Sequence, residues 1–289
     1  MVQEIETKSI LSRLRQHDPY FGITYNMNLY RGCQHGCIYC DTRSTCYQIG
    51  DIENICVKIN AIPLLERELR KKREKGTIGT GSMNDPYMSL ERKYQQTRKA
   101  LSVIASAKFP VHIITKSDLV IRDRDIIQEI SQVYAAVSFT VTTATDLLAR
   151  KLEPGAPVTS SRFTAMKYLA SKGIYTGITL MPVLPFVNDT VQNITEIVHR
   201  AKDNGASYIL PMFGVTLREG SREYLYKSFD RLFPGMRQQY EQRYGNQYEC
   251  FSPHYQKLWE CFLMLTDKYN ISSKISMYNP GLPRQLSLF

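Results

Sequence analysis

Three cysteines fall within eight residues, Cys33-x3-Cys37-x2-Cys40, on a loop that follows an apolar and aromatic run over residues 23–30. Three thiolates on one loop hold three corners of a cuboidal iron–sulfur cluster, whereas a structural cluster or zinc site normally closes all four positions. An iron without a protein ligand is an open coordination site, where a substrate or cofactor binds and reacts. Gly32 and Gly36 permit the tight backbone such a loop needs, and Tyr39 puts an aromatic ring directly before the last cysteine. Spacing alone leaves a zinc site completed by His35 or a distant cysteine as the alternative.

The rest of the chain has to carry that loop. Apolar segments at 23–30, 76–81, 111–115, 136–141, 176–181 and 208–212 alternate with helical patterns at 61–75, 91–107, 123–131, 162–172 and 190–204. Six such strands, the sixth ending the repeat with no sign of two more, predict an α/β fold, a partial (β/α)6 TIM-like barrel over residues 1–215. The cysteine loop then sits at the carboxyl end of the first strand, where barrels of this kind place their chemistry. An incomplete barrel leaves a lateral opening that a large substrate can approach. Residues 216–284, rich in tyrosine and charge, read as a helical C-terminal extension with helices at 222–233, 236–244 and 254–269. A short helix is also expected at 10–14.

Within this frame the polar turn after the second strand, with Ser82, Asn84 and Asp85, is a candidate ligand loop. Alternation along the fourth strand puts Ser138, Thr140 and Thr142 on one side, where ribose hydroxyls, water or one another would satisfy them. The formal charge of +10 and pI of about 9.2 favour a polyanionic partner. The tyrosines and arginines of the extension either stack on bases or pack a cap over the barrel edge. No stretch approaches a membrane span. Seven cysteines without a secretion signal predict reduced thiols and a cytoplasmic protein.

The cysteine motif, with an aromatic before its third cysteine, resembles the signature of the radical S-adenosylmethionine (radical SAM) superfamily. Its flanks, Tyr30-Arg31-Gly32 and Asp41-Thr42-Arg43, are similar to the spore photoproduct lyase-related branch. The resemblance implies a 4Fe-4S cluster whose fourth iron is chelated by S-adenosylmethionine. It also implies an electron donor such as flavodoxin or ferredoxin, and reductive cleavage to a 5′-deoxyadenosyl radical that abstracts hydrogen. It assigns the loop of Ser82, Asn84 and Asp85 to the cofactor's amino group, Lys116 to its carboxylate, and Glu153 with Arg162 to ordering the pocket.

The lyase proper carries a cysteine hydrogen donor in the loop after its second strand, and residues 81–85 contain none. Cys46 and Tyr87 are the candidate replacements. The terminal Gln285-Leu286-Ser287-Leu288-Phe289 is similar to the pentapeptide that binds the bacterial β sliding clamp, with Gln285 at the groove and Leu288 and Phe289 as apolar anchors. These features together predict a radical SAM enzyme acting on DNA, repair-like and clamp-recruited. The alternatives are a radical SAM enzyme modifying RNA, a peptide or a small molecule, and a non-catalytic Fe–S or zinc adaptor on DNA.

Overall fold

The computed structural model describes residues 2–16 and 18–281; the tail pentapeptide, Gln285, Leu286, Leu288 and Phe289 included, lies outside them. Strands β1 (Val2–Ile5), β2 (Leu11–Arg13), β3 (Tyr25–Met27), β4 (Tyr30–Arg31) and β5 (Ile55–Lys58) precede helix α1 (Ala61–Arg70). Strand β6 (Ile78–Thr80) leads to α2 (Glu91–Tyr94) and α3 (Gln96–Ser106), and β7 (Val111–Thr115) to α4 (Arg124–Ile130). Strand β8 (Ala135–Thr140) leads to α5 (Asp146–Leu152) and α6 (Thr159–Ala170), and β9 (Tyr175–Leu180) to α7 (Val191–Asp203). After β10 (Tyr208–Pro211) and β11 (Gly214–Thr216) come α8 (Ser221–Leu232), α9 (Met236–Tyr244), β12 (Glu249–Phe251) and α10 (Tyr255–Lys268).

Seven strands form the main sheet in the order β10-β9-β8-β7-β6-β3-β2, parallel except for β2, which pairs antiparallel with β3. This is the partial TIM-like barrel, with six parallel strands and one short antiparallel strand finishing an edge. Central strand β8 is buried at all six positions, as a strand covered on both faces must be. Helix α7 buries Ile194, Ile197, Val198 and Ala201, the spacing of one helical face, and the Thr190 hydroxyl oxygen accepts the Asn193 N–H at 3.1 Å to cap its start.

Three expectations change. Residues 10–14 are not helical: Leu11 lies opposite Met27 in β2, and the Ile10 and Leu11 N–H groups donate to the Glu68 carboxylate at 3.0 and 2.9 Å. The expected first strand divides after Met27, because Tyr30 and Arg31 pair with β5 in a separate sheet of order β1-β5-β4. The C-terminal extension is not purely helical, since β11 crosses the expected boundary at 215 and pairs antiparallel with β12. Its α10 buries Leu258, Phe262 and Leu265 in the barrel's own core. Among the described residues no helix is long and apolar enough to cross a membrane.

Candidate active site

The carboxyl ends of the parallel strands meet the cysteine loop around a cavity of about 310 Å³. Its walls include Cys33, His35, Cys37, Tyr39 and Cys40, then residues 81–85 after β6, Thr115 and Lys116 at the end of β7, and Thr140 ending β8. Met181, Pro182, Met212 and Val215 supply an apolar side. Gly81 has φ +90°, and a Cβ there would lie 2.2 Å from the Ile114 carbonyl oxygen, so the β6 loop can run this close to β7 only without a side chain.

Two braces fix the cysteine loop. On one side Thr42 donates to the Met83 carbonyl at 3.2 Å, Asn84 Nδ2 donates to the Tyr30 carbonyl at 2.8 Å, and His35 Nδ1 lies 3.4 Å from Asp85 Oδ2. On the other, the Gly155 N–H donates to the His35 carbonyl at 2.9 Å and the Ile38 N–H to the Leu152 carbonyl at 2.9 Å. A Cβ on Gly155 would fall 2.1 Å from the Gln34 carbonyl oxygen.

Beneath the cavity a buried charge pair completes the second brace. Glu153 takes the Tyr39 hydroxyl on one oxygen and meets Arg162 at 2.5 Å on the other. The guanidinium also donates to the Pro157 and Thr140 carbonyls, both at 2.8 Å. Burial raises the Glu153 carboxyl, yet Arg162 and Lys116 together hold it below its ordinary value. Burial likewise draws the Lys116 ammonium down, while Cys37 and Glu153 more than offset it and leave it raised.

Burial pushes the Cys33 thiol up to about 11, with Asp85 adding to the shift, and pushes Cys37 higher still. Buried thiolates therefore need a cationic partner here, and iron supplies one. Among the described residues no three His, Cys, Asp or Glu side chains converge on a point that a single metal ion would occupy. Three cysteines instead share the wall of one cavity, a donor set suited to a cluster with one iron left to a cofactor.

The structure gathers only part of the expected residue set. Ser82, Asn84, Asp85, Lys116 and Thr140 line the cavity with the cysteines. Ser138 does not: its hydroxyl sits deeper in the barrel, 2.7 Å from both His112 Nε2 and the Tyr208 hydroxyl. Thr142 lies past the strand end outside the lining, its carbonyl taken by Asn188 and Asn193. Glu153 and Arg162 stand behind Tyr39 rather than on the wall. Tyr87 is wholly buried in the main core, and Cys46 is exposed on a turn outside the lining. Sequence reasoning weighed His35 only as a zinc ligand and passed over Thr115, Thr216 and the rim residue Arg218, which donates to Asp41 Oδ2 at 2.8 Å. None of those three carried a signal in the sequence, whereas His35 had its place inside the cysteine motif.

A profile of the Radical SAM superfamily matches residues 27–201. An uncharacterized protein of Mycobacterium tuberculosis is 28% identical over 231 residues, 76% of this chain and 67% of that one. A radical SAM Nalpha-GlyT isomerase of Pseudomonas phage M6 is 24% identical over 200 residues, covering 68% of this chain and 41% of the isomerase. Among solved structures, spore photoproduct lyase complexed with dinucleoside spore photoproduct superposes with a TM-score of 0.68 at 13% identity, over 93% of this chain and 79% of the lyase. At that identity the superposition establishes a shared fold. The profile spans more than half of the chain and begins just ahead of the cysteine loop, so this protein belongs to the radical SAM superfamily, enzymes that use a 4Fe-4S cluster and S-adenosylmethionine.

Proposed function

We propose that the protein holds its 4Fe-4S cluster on Cys33, Cys37 and Cys40 and turns the bound S-adenosylmethionine on DNA in a repair-like reaction. The observation that carries this reading is the single cavity in which those cysteines, Asn84, Lys116 and Thr140 meet from separate parts of the chain. Bound there, the cofactor pair supplies reductive formation of a 5′-deoxyadenosyl radical that abstracts hydrogen. Lys116 offers an ammonium to the cofactor's carboxylate, and Ser82 and Asn84 offer oxygen acceptors to its amino group. Met181, Pro182, Met212 and Val215 keep water from the reacting carbon, while Glu153, paired with Arg162, anchors the cysteine loop through the Tyr39 hydroxyl.

Three features support DNA as the substrate: the charge of +10, the open edge of the barrel, and a fold shared with a lyase complexed with dinucleoside spore photoproduct. Cys33, Cys37 and Cys40 are the only cysteines among the described residues of the cavity wall, and Met83 occupies the loop after β6. The final hydrogen donor therefore differs from a cysteine in that loop, and exposed Cys46 is the candidate. Gln285 to Phe289 recruits the enzyme to the β sliding clamp, and flavodoxin or ferredoxin delivers the electron.

The test is anaerobic reconstitution followed by measurement of 5′-deoxyadenosine with and without DNA, for wild type beside a variant with Cys33, Cys37 and Cys40 all changed to alanine. Cleavage in wild type only, stimulated by DNA, is expected. Cluster-dependent cleavage indifferent to DNA would remove the DNA reading and leave the chemistry. Clamp capture unchanged by deleting residues 285–289 would remove the recruitment step.

A further inference from the structure

At the edge of the cavity, one wall residue is tied into a cluster that the cofactor chemistry does not use. Asp41 lines the cavity, and its Oδ2 accepts from Arg218 at 2.8 Å and from the Tyr47 hydroxyl at 2.8 Å. The Arg218 guanidinium donates also to the Tyr47 hydroxyl at 2.7 Å and the Tyr248 hydroxyl at 2.8 Å. It lies 5.6 Å from the Tyr47 ring centre and 4.6 Å from that of Tyr248. The backbone under each part is fixed. Tyr47 donates its N–H to the Ser44 carbonyl at 3.1 Å, the Tyr248 carbonyl accepts from Leu217 at 2.8 Å, and the Arg218 N–H donates to the Ser221 hydroxyl at 3.0 Å.

An ion pair between Asp41 and Arg218 would by itself join the cysteine-loop segment to the C-terminal extension. The two tyrosines go beyond that need, because Tyr47 is 37% exposed and Tyr248 43% exposed. Two rigidly held rings that keep this much surface in water, beside a guanidinium plane and next to the cavity, make a stacking platform for a flat heteroaromatic group. Arg31 of β4, exposed and donating to the Gln48 carbonyl one residue beyond Tyr47, adds a cation beside that turn for a phosphate.

Resting on the DNA reading above, we infer that Tyr47, Tyr248 and Arg218 form a nucleobase-stacking platform that presents an unpaired base of single-stranded DNA to the cavity. In a duplex both faces of a base are already stacked, so the platform selects single strands or flipped bases. Every base has a π-face, so it does so without reading sequence.

The test is anaerobic binding of the cluster-loaded protein to three fluorescent probes: a single-stranded 20-mer of mixed sequence, the matched duplex, and a 20-mer with abasic sites throughout its centre. Wild type should bind the intact single strand at least about tenfold more tightly than either of the others. Tyr47→Ala and Tyr248→Ala should each weaken the single strand by about 5- to 100-fold without altering the salt dependence, since stacking releases no counterions. Tyr47→Phe and Tyr248→Phe keep the rings and should stay within about threefold of wild type, with iron content confirming the fold. Arg31→Ala should do the converse, lowering the salt slope by about one.

Equal affinity for intact and abasic strands, or alanine variants that bind as wild type does, would overturn the platform while leaving DNA as the substrate. Phenylalanine variants as weak as the alanine ones would also overturn it, because the hydroxyl links rather than the rings would then be responsible. An unstructured acidic peptide displacing the strand at equal concentration would assign the rim to peptides instead. Absence of binding to every DNA probe would remove the DNA reading and the platform together.

Discussion

Replacing His112 by asparagine takes a proton-binding group out of the barrel interior and keeps a donor near the Phe21 carbonyl. His112 is wholly buried, and burial pushes its imidazole down to about 4 from the ordinary 6.5. The neighbours fix the tautomer. The Phe21 carbonyl, 3.0 Å from Nδ1, only accepts, so Nδ1 carries the hydrogen. Nε2 then accepts from Ser138, whose oxygen accepts in turn from Tyr208. A second proton on Nε2 turns the Ser138 hydroxyl round and leaves the Tyr208 hydrogen without its acceptor. Because the folded pKa is depressed, the unfolded chain takes the proton first. The stabilisation is therefore complete above about pH 6.5, declines as the pH falls, and is fully lost below about 4. Linkage over that interval amounts to about 3 kcal/mol, of which about 2 kcal/mol is lost between about pH 7 and pH 5. Urea unfolding at those two pH values should show wild type losing about 2 kcal/mol more than His112→Asn. Equal losses in the two proteins would refute the assignment of a neutral, Nδ1-protonated His112.

Three further outcomes are expected. Glu153→Gln should cost about 3–5 kcal/mol by stranding the buried Arg162 charge, and adding Arg162→Met to Glu153→Leu should restore much of it; equal thermal midpoints for single and double variants would exclude the pair as the source. Gly155→Ala drives a Cβ to 2.1 Å from the Gln34 carbonyl oxygen and should sharply lower iron bound after reconstitution. Gly173→Ala, at φ +73° with nothing within 4 Å, should retain iron and cost only about 1–2 kcal/mol, so equal iron contents would argue against the brace. Arg98 holds the Asp125 carboxyl down to about 2, so this pair contributes above about pH 4 and its contribution fades as the pH falls toward 2; Asp125→Asn should flatten that part of the acid unfolding curve.

How far the sequence could be read depended on the length of each element and its burial. The strand at 111–115 and the helices of the extension were legible because a buried strand is a continuous apolar run and an amphipathic helix repeats over several turns. Strands β1, β4 and β5 offer two to four residues each, too few for a period to register, and their pairing partners lie far away in the chain. Ile10, Leu11 and Leu14 imitate a helical stripe, but what decides their conformation is Glu68, more than fifty residues on, taking two backbone N–H groups. The triplet Ser138, Thr140 and Thr142 shows the same limit at the site. Alternation fixes which face a residue takes, not its depth, and two residues along a strand move a side chain by about 7 Å. Thr140 therefore reaches the cavity, Ser138 falls below it into the His112–Tyr208 chain, and Thr142 lies outside its wall.

Asp85 marks the point where sequence alone could not separate a ligand from a brace. A carboxylate at the end of β6 beside the cysteine loop fits either role, and both place it on the cavity wall. Its partners decide. One oxygen accepts the Tyr87 N–H at 2.8 Å and the Thr115 hydroxyl at 2.7 Å; the other accepts the Lys116 N–H at 2.7 Å and faces His35 Nδ1 at 3.4 Å. Three hydrogen bonds and the facing imidazole thus engage both carboxylate oxygens from three separate segments. The Asp85 carboxylate at the strand end ties the β6 loop, the β7 terminus and the cysteine loop into one arrangement. Lys116 gains most from this arrangement. Its backbone is pinned by Asp85 while its side chain lines the cavity, and among the described residues its ammonium makes no ion pair within 4.0 Å, so the cavity wall carries a positioned cation whose charge no carboxylate contacts directly.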